Sequence, residues 1–151
     1  MSKMLISTDK SLLNLEEIHR FLSTQSTWAR GIPRETVERA IAHSLCFGGY
    51  LEGRQIAFAR VISDLATFAN LVDVFVLPEH RGRGYSTLLM DAIVAHPDLQ
   101  GLRRFTLATS DAHGLYARYG FTAPSKPGTL MERTIPTSIN RLEPDNATRL
   151  S

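Results

Sequence analysis

Cys46 is the only cysteine of the chain, so no internal disulfide can form and no cluster of thiols is present to hold a metal. The opening residues, Met1 to Asp9, lack the long apolar core of a secretory leader. No apolar run approaches the roughly 20 residues of a membrane span, and no lipidation signal is visible. These absences set the expectation of a cytoplasmic location without a membrane partner. A net charge of +2, with no Lys/Arg run interleaved with aromatics, gives no footprint for nucleic acid. No Gly-Lys-Ser/Thr triplet occurs, which excludes a Walker loop. There is no internal repeat and no low-complexity block.

What is present is an ordinary globular composition. Of 151 residues, 43% are apolar and 21% charged, enough for one domain with a real core and no need of a second. Cys46 lies in the apolar run Leu45-Cys46-Phe47 and reads as a small core residue.

Periodicity orders the elements. Met4 to Ser7 reads as a first strand. Asn14 caps a helix to about Ser23, with Leu15, Ile18, Phe21 and Leu22 on one face and Glu17 three residues after the cap. After Gly31 and Pro33, the stripe Val37, Ala40, Ile41 and Leu45 predicts a second helix. Leu45–Leu51, Gln55–Ile62 and Leu71–Leu77 predict an antiparallel meander. A helix beginning near Tyr85 closes at Pro97, and a strand over Phe105 to Thr109 follows, parallel to the strand near 72 or diverging from it. Ala112 to Tyr119 predicts a short helix ended by Gly120. Leu130 to Arg133 predicts a last strand, and 134–151 an irregular tail.

The segment from Asp73 to Met90 is the most informative. Its β-branched and aromatic strand stops at Pro78, and Gly82 and Gly84 remove side chains where backbone must approach a ligand. The helix behind them presents free N–H groups and the positive end of its dipole, so an anion is expected. Arg81 and Arg83 add positive charge. A dinucleotide fingerprint would place a third glycine at position 87, which is Thr87. What remains is Arg-x-x-Gly-x-Gly/Ala, met by Arg81 and Gly84 and, with a hydroxymethyl group, by Ser86.

This loop resembles the acyl-CoA loop of the GNAT superfamily of N-acetyltransferases. A second segment, Ala112-His113-Gly114-Leu115-Tyr116-Ala117-Arg118-Tyr119-Gly120-Phe121, is similar to the family's Ala-x-x-Leu/Phe-Tyr-x-x-x-Gly-Phe motif, and the pair is far more specific than either alone. The resemblance covers about residues 3–133. It implies an α/β (α+β) GNAT fold: a mixed, largely antiparallel sheet flanked by helices, with strands splayed at the CoA site. The domain is read as 1–133, followed by the tail.

The resemblance implies acetyl-CoA as co-substrate and no metal. Backbone groups of Val74, Phe75 and Val76 would bind the pantetheine arm, and the amides of Gly82, Arg83, Gly84, Tyr85, Ser86 and Thr87 the pyrophosphate, with Arg81 beside them. The acceptor would be a primary amine of a small molecule or a peptide, acetylated directly in a ternary complex. An amine with a pKa of about 10.4 must lose a proton before attack, and the leaving thiolate must gain one. The family's proton donor falls at Tyr116, although an aromatic on a short amphipathic helix is equally at home as core. Asp73 is the first candidate base, with a solvated or salt-bridged strand carboxylate as the alternative; His113 is the second, with a surface histidine as its alternative. Thr109 replaces an asparagine frequent in relatives. Trp28 is a candidate wall of the acceptor pocket or an interhelix packing residue. The tail has three roles open to it: folding over that pocket, mediating a homodimer or staying mobile. The competing function is a GNAT-fold module that binds acyl-CoA as a sensor or interaction partner without catalysis.

Overall fold

The computed structural model describes residues 3–135. The elements in chain order are β1 (Leu5–Ser7), α1 (Leu15–Thr24), α2 (Arg34–Ala42), β2 (Leu45–Leu51), β3 (Arg54–Ser63), β4 (Phe68–Val76), α3 (Tyr85–Ala95), β5 (Arg104–Leu107) and α4 (His113–Ala117). The sheet order follows the sequence, β1-β2-β3-β4-β5, antiparallel except for the parallel pair β4 and β5. The mixed, largely antiparallel sheet with flanking helices is therefore as the sequence predicts.

Local chemistry sets the boundaries. Asn14 accepts the Glu17 N–H through its side chain at 3.1 Å and starts α1, as the spacing of Asn14 and Glu17 predicts. The stripe that suggests a helix as far as Leu45 ends earlier, at Ala42, and Leu45 opens β2. Gly49 sits where a Cβ would come within 3 Å of Met4 Sδ and Ala57 Cβ, so glycine lets β1 and β3 approach it.

The core lies on both faces of the sheet. On one face Phe21 of α1 stacks on Phe75 of β4 at 4.0 Å between ring centres, and Phe75 meets Phe58 of β3 at 5.8 Å. Phe58 pairs with Gly48, so the neighbouring Phe47 points to the opposite face, where it meets His96 at the end of α3. Leu89, Met90 and Ile93 bury the inner side of α3.

One predicted strand is absent. Pro127–Thr129 forms a short 3-10 turn, and beyond it Leu130 and Met131 are 47% and 98% exposed, with no ladder partner among the described residues. Leu130 to Arg133 is irregular because the turn carries it off the sheet. The predicted tail beyond Ile135 lies outside the described residues.

Candidate active site

The site begins where β4 leaves its neighbour. Pairing with β5 runs from Phe68 opposite Arg104 to Leu71 opposite Leu107, but β4 continues to Val76. The cause lies on the other side of β4. There Phe58 pairs with Phe75 and Arg60 with Val72, so Ala59 alone faces Asp73 and Val74. That two-for-one register is a bulge, and Asp73 adopts φ +56° within it. A bulge bends its strand and so opens β4 from β5. The Leu77 N–H bonds back to Ile56 O at 2.8 Å, so alternation turns the backbone groups of Val74 and Val76 outward to the open edge.

The strand end feeds a cradle. After the turn Pro78–His80, α3 starts at Gly84, which has φ +79° and no side-chain cap. The first-turn N–H groups of α3 therefore point into a cavity of about 100 Å³ lined by Val76, His80, Arg81, Gly82, Gly84, Tyr85 and Ser86. Cβ atoms built at Gly82 and Gly84 would meet nothing within 4 Å, so both glycines are required by their positive φ and by access, not by crowding. His80 Nδ1 is buried at this cavity without a partner among the described residues. An orphaned ring nitrogen, uncapped amides and an open loop fit a phosphate group. Arg81 Nε donates to Val76 O at 2.9 Å and ties the loop to the strand.

Tyr116 enters from α4. Thr109 Oγ1 accepts the Ala112 N–H at 3.0 Å and starts this helix, and Gly120 ends it at φ +89°. Tyr119 locks the helix to α3: its hydroxyl donates to Asp91 Oδ1 at 2.7 Å and lies 3.1 Å from Thr87 O. Tyr116 is buried, with its ring edge-on to Phe121. Burial pushes its hydroxyl above the usual phenol range, with the nearby Asp111 charge adding to the effect. His113 is exposed on the same short helix.

Asp73 is neither solvated nor free. It is 9% exposed; Oδ2 accepts Arg60 Nε at 2.9 Å and Oδ1 accepts Trp28 Nε1 at 2.8 Å. Arg60 continues the chain to Ser44 Oγ at 3.1 Å. Of the two structural alternatives for this carboxylate, the salt-bridged one is found. Arg60 and Ser44 are the members that sequence reasoning missed. The available signal was a cation inside the apolar run Ile56 to Ile62, since a charge there requires a partner.

Comparison with known proteins gives a consistent result. The family model described as an acetyltransferase (GNAT) domain matches residues 42–123. A protein of Gibberella zeae named as a candidate acetyltransferase, FG08082, is 32% identical over 136 residues, covering 76% of each chain. The crystal structure of a candidate GNAT-family acetyltransferase from Xanthomonas campestris is 70% identical, with a TM-score of 0.87 over 90% of this chain and 96% of that one. A candidate acetyltransferase from Clostridium acetobutylicum, solved with acetyl-CoA, shares the fold at TM-score 0.62 and 16% identity, over 89% of this chain and 96% of that one.

Proposed function

The chain belongs to the GNAT family of acetyltransferases, and from this premise we propose that it moves the acetyl group of acetyl-CoA to a primary amine of a small molecule or peptide, directly, in a ternary complex. The observation that carries the reading is the open edge of β4, Val72 to Val76, leading straight into the uncapped start of α3. An extended amide-bearing arm can add to a strand edge while its pyrophosphate meets the helix amides.

In this reading the outward groups of Val74 hold the arm, while Val76 O is kept by Arg81, and Phe75, expected beside them, has its backbone turned inward to β3; the amides from Gly82 to Thr87 hold the pyrophosphate. Arg81 fixes the loop, and Arg83 and His80 supply further donors. The outward N–H of Val76 stabilises the oxyanion formed as the amine attacks the thioester. Tyr116 gives its proton to the departing thiolate; burial keeps the phenol protonated well above neutral pH, as a donor must be. Proton loss from the incoming ammonium is assigned to solvent, because both oxygens of Asp73 already accept N–H groups.

The test is a panel of amines with acetyl-CoA, assayed for CoA release: amino acids, polyamines, aminoglycosides and peptides. Turnover in one class is expected. Tight acetyl-CoA binding with turnover in none contradicts the reading and favours a sensor or interaction module.

A further inference from the structure

Trp28 combines exposure with restraint. It stands in the α1–α2 connection and is 51% exposed, yet its indole N–H is bonded to the β4 bulge and its ring leans on Phe21 at 6.5 Å. The connection itself is built to hold it. Ser26, 1% exposed, donates through Oγ to Leu22 O at 2.6 Å and accepts the Ala29 N–H at 3.0 Å, and the Gly31 N–H bonds back to Ser23 O. An unconstrained surface tryptophan would need none of this.

The restraint extends through the sheet. Ser44, just after α2, accepts Arg60 of β3; Arg60 clamps Asp73 of β4; Asp73 accepts Trp28. The anchor residue, Asp73, directly precedes Val74 at the open edge assigned above to the acyl donor. The ring is thus bonded to the residue that adjoins the open edge. A rigid indole face offers apolar area and a quadrupole that attracts ammonium. The partner carboxylate, being held by Arg60, does not compete for the cation.

We propose that Ser44, Arg60 and Asp73 form a positioning chain that fixes Trp28 as the acceptor-facing wall, and that the acceptors selected are amines whose ammonium sits on an apolar stem. This deepens the acetyltransferase reading and rests on it. Asp73 is here a positioning residue, not the base.

Phenethylamine is the probe, with glucosamine 6-phosphate as an anionic amine for contrast. Trp28 is the only tryptophan, so intrinsic fluorescence reports this residue alone. Phenethylamine titrated into the CoA-saturated protein should change Trp28 emission saturably, and with acetyl-CoA it should be the better substrate of the two. Trp28→Ala should raise its KM about tenfold with kcat nearly unchanged. Asp73→Asn tolerates the positive φ but can accept from only one of Trp28 Nε1 and Arg60 Nε, so the indole loses part of its restraint and the phenethylamine KM should rise severalfold, in the direction of Trp28→Ala, with the pH profile of kcat unchanged. Loss of kcat by a hundredfold or more in Asp73→Asn, with acetyl-CoA binding and folding intact, would make Asp73 the base and overturn the proposal. A phenethylamine KM unmoved by Trp28→Ala, or emission unmoved by phenethylamine, overturns it too. Failure of acetyl-CoA itself to bind would instead remove the acetyltransferase reading beneath it, so the two failures are separable.

Discussion

Arg60 Nε lies 2.9 Å from Asp73 Oδ2, joining β3 to β4 at the bulge where β4 turns away from β5. The pair is mostly removed from water, with side-chain exposures of 15% and 9%. Its attraction is therefore less screened than that of a surface pair, and losing one member leaves the other stranded.

Arg60→Ala should destabilise the fold by about 3 kcal/mol, because Asp73 stays buried without its cation. Urea denaturation at neutral pH measures this. A loss below about 0.5 kcal/mol would show the pair to behave as an exposed one.

Tyr116→Phe removes the assigned proton donor and little else, since no hydrogen bond of its hydroxyl is found among the described residues. Turnover should fall at least about tenfold while acetyl-CoA affinity stays within about twofold. Because burial raises the phenol above its ordinary value, the native rate should not decline through loss of this proton at any pH where an ordinary phenol stays protonated. Steady-state rates across pH, on both proteins, check the two expectations together.

Gly84→Ala places a Cβ at φ +79°, in open space, so the cost is backbone conformation at the cradle and not a clash. About 1 kcal/mol of strain is expected, with acetyl-CoA affinity falling roughly fivefold or more as the loop shifts. Calorimetric titration reads the affinity, and thermal unfolding reads the strain.

Cys46 is buried, and that burial pushes its thiol up to about 11. Its thiolate should be scarce at neutral pH, so labelling by an aromatic disulfide reagent should be slow in the folded protein and fast in denaturant. Activity should be insensitive to brief exposure to the reagent.

The parts of this site that obey local rules are legible in the sequence. The Asn14 cap, the positive-φ glycines before α3 and the Gly120 stop each follow from neighbouring residues alone, and so does the alternation of strand and helix around them. The bulge at Asp73 is different, since it exists only as a register between β3 and β4 and no residue of β4 announces it. The same is true of the Arg60 network, whose members stand 13 to 45 positions apart. The missing strand at Leu130 to Arg133 shows the converse: a short apolar segment joins a sheet only if the preceding turn delivers it there.

Thermal unfolding with and without acetyl-CoA is the most direct test of the central claim, that the β4 edge and the α3 cradle form an acyl-CoA site. At a hundredfold excess over the dissociation constant, acetyl-CoA should stabilise the protein by about 2.7 kcal/mol, a shift of about 5 °C or more. ATP and NAD at the same concentration should give less. Protection by either nucleotide with none by acetyl-CoA would contradict the claim.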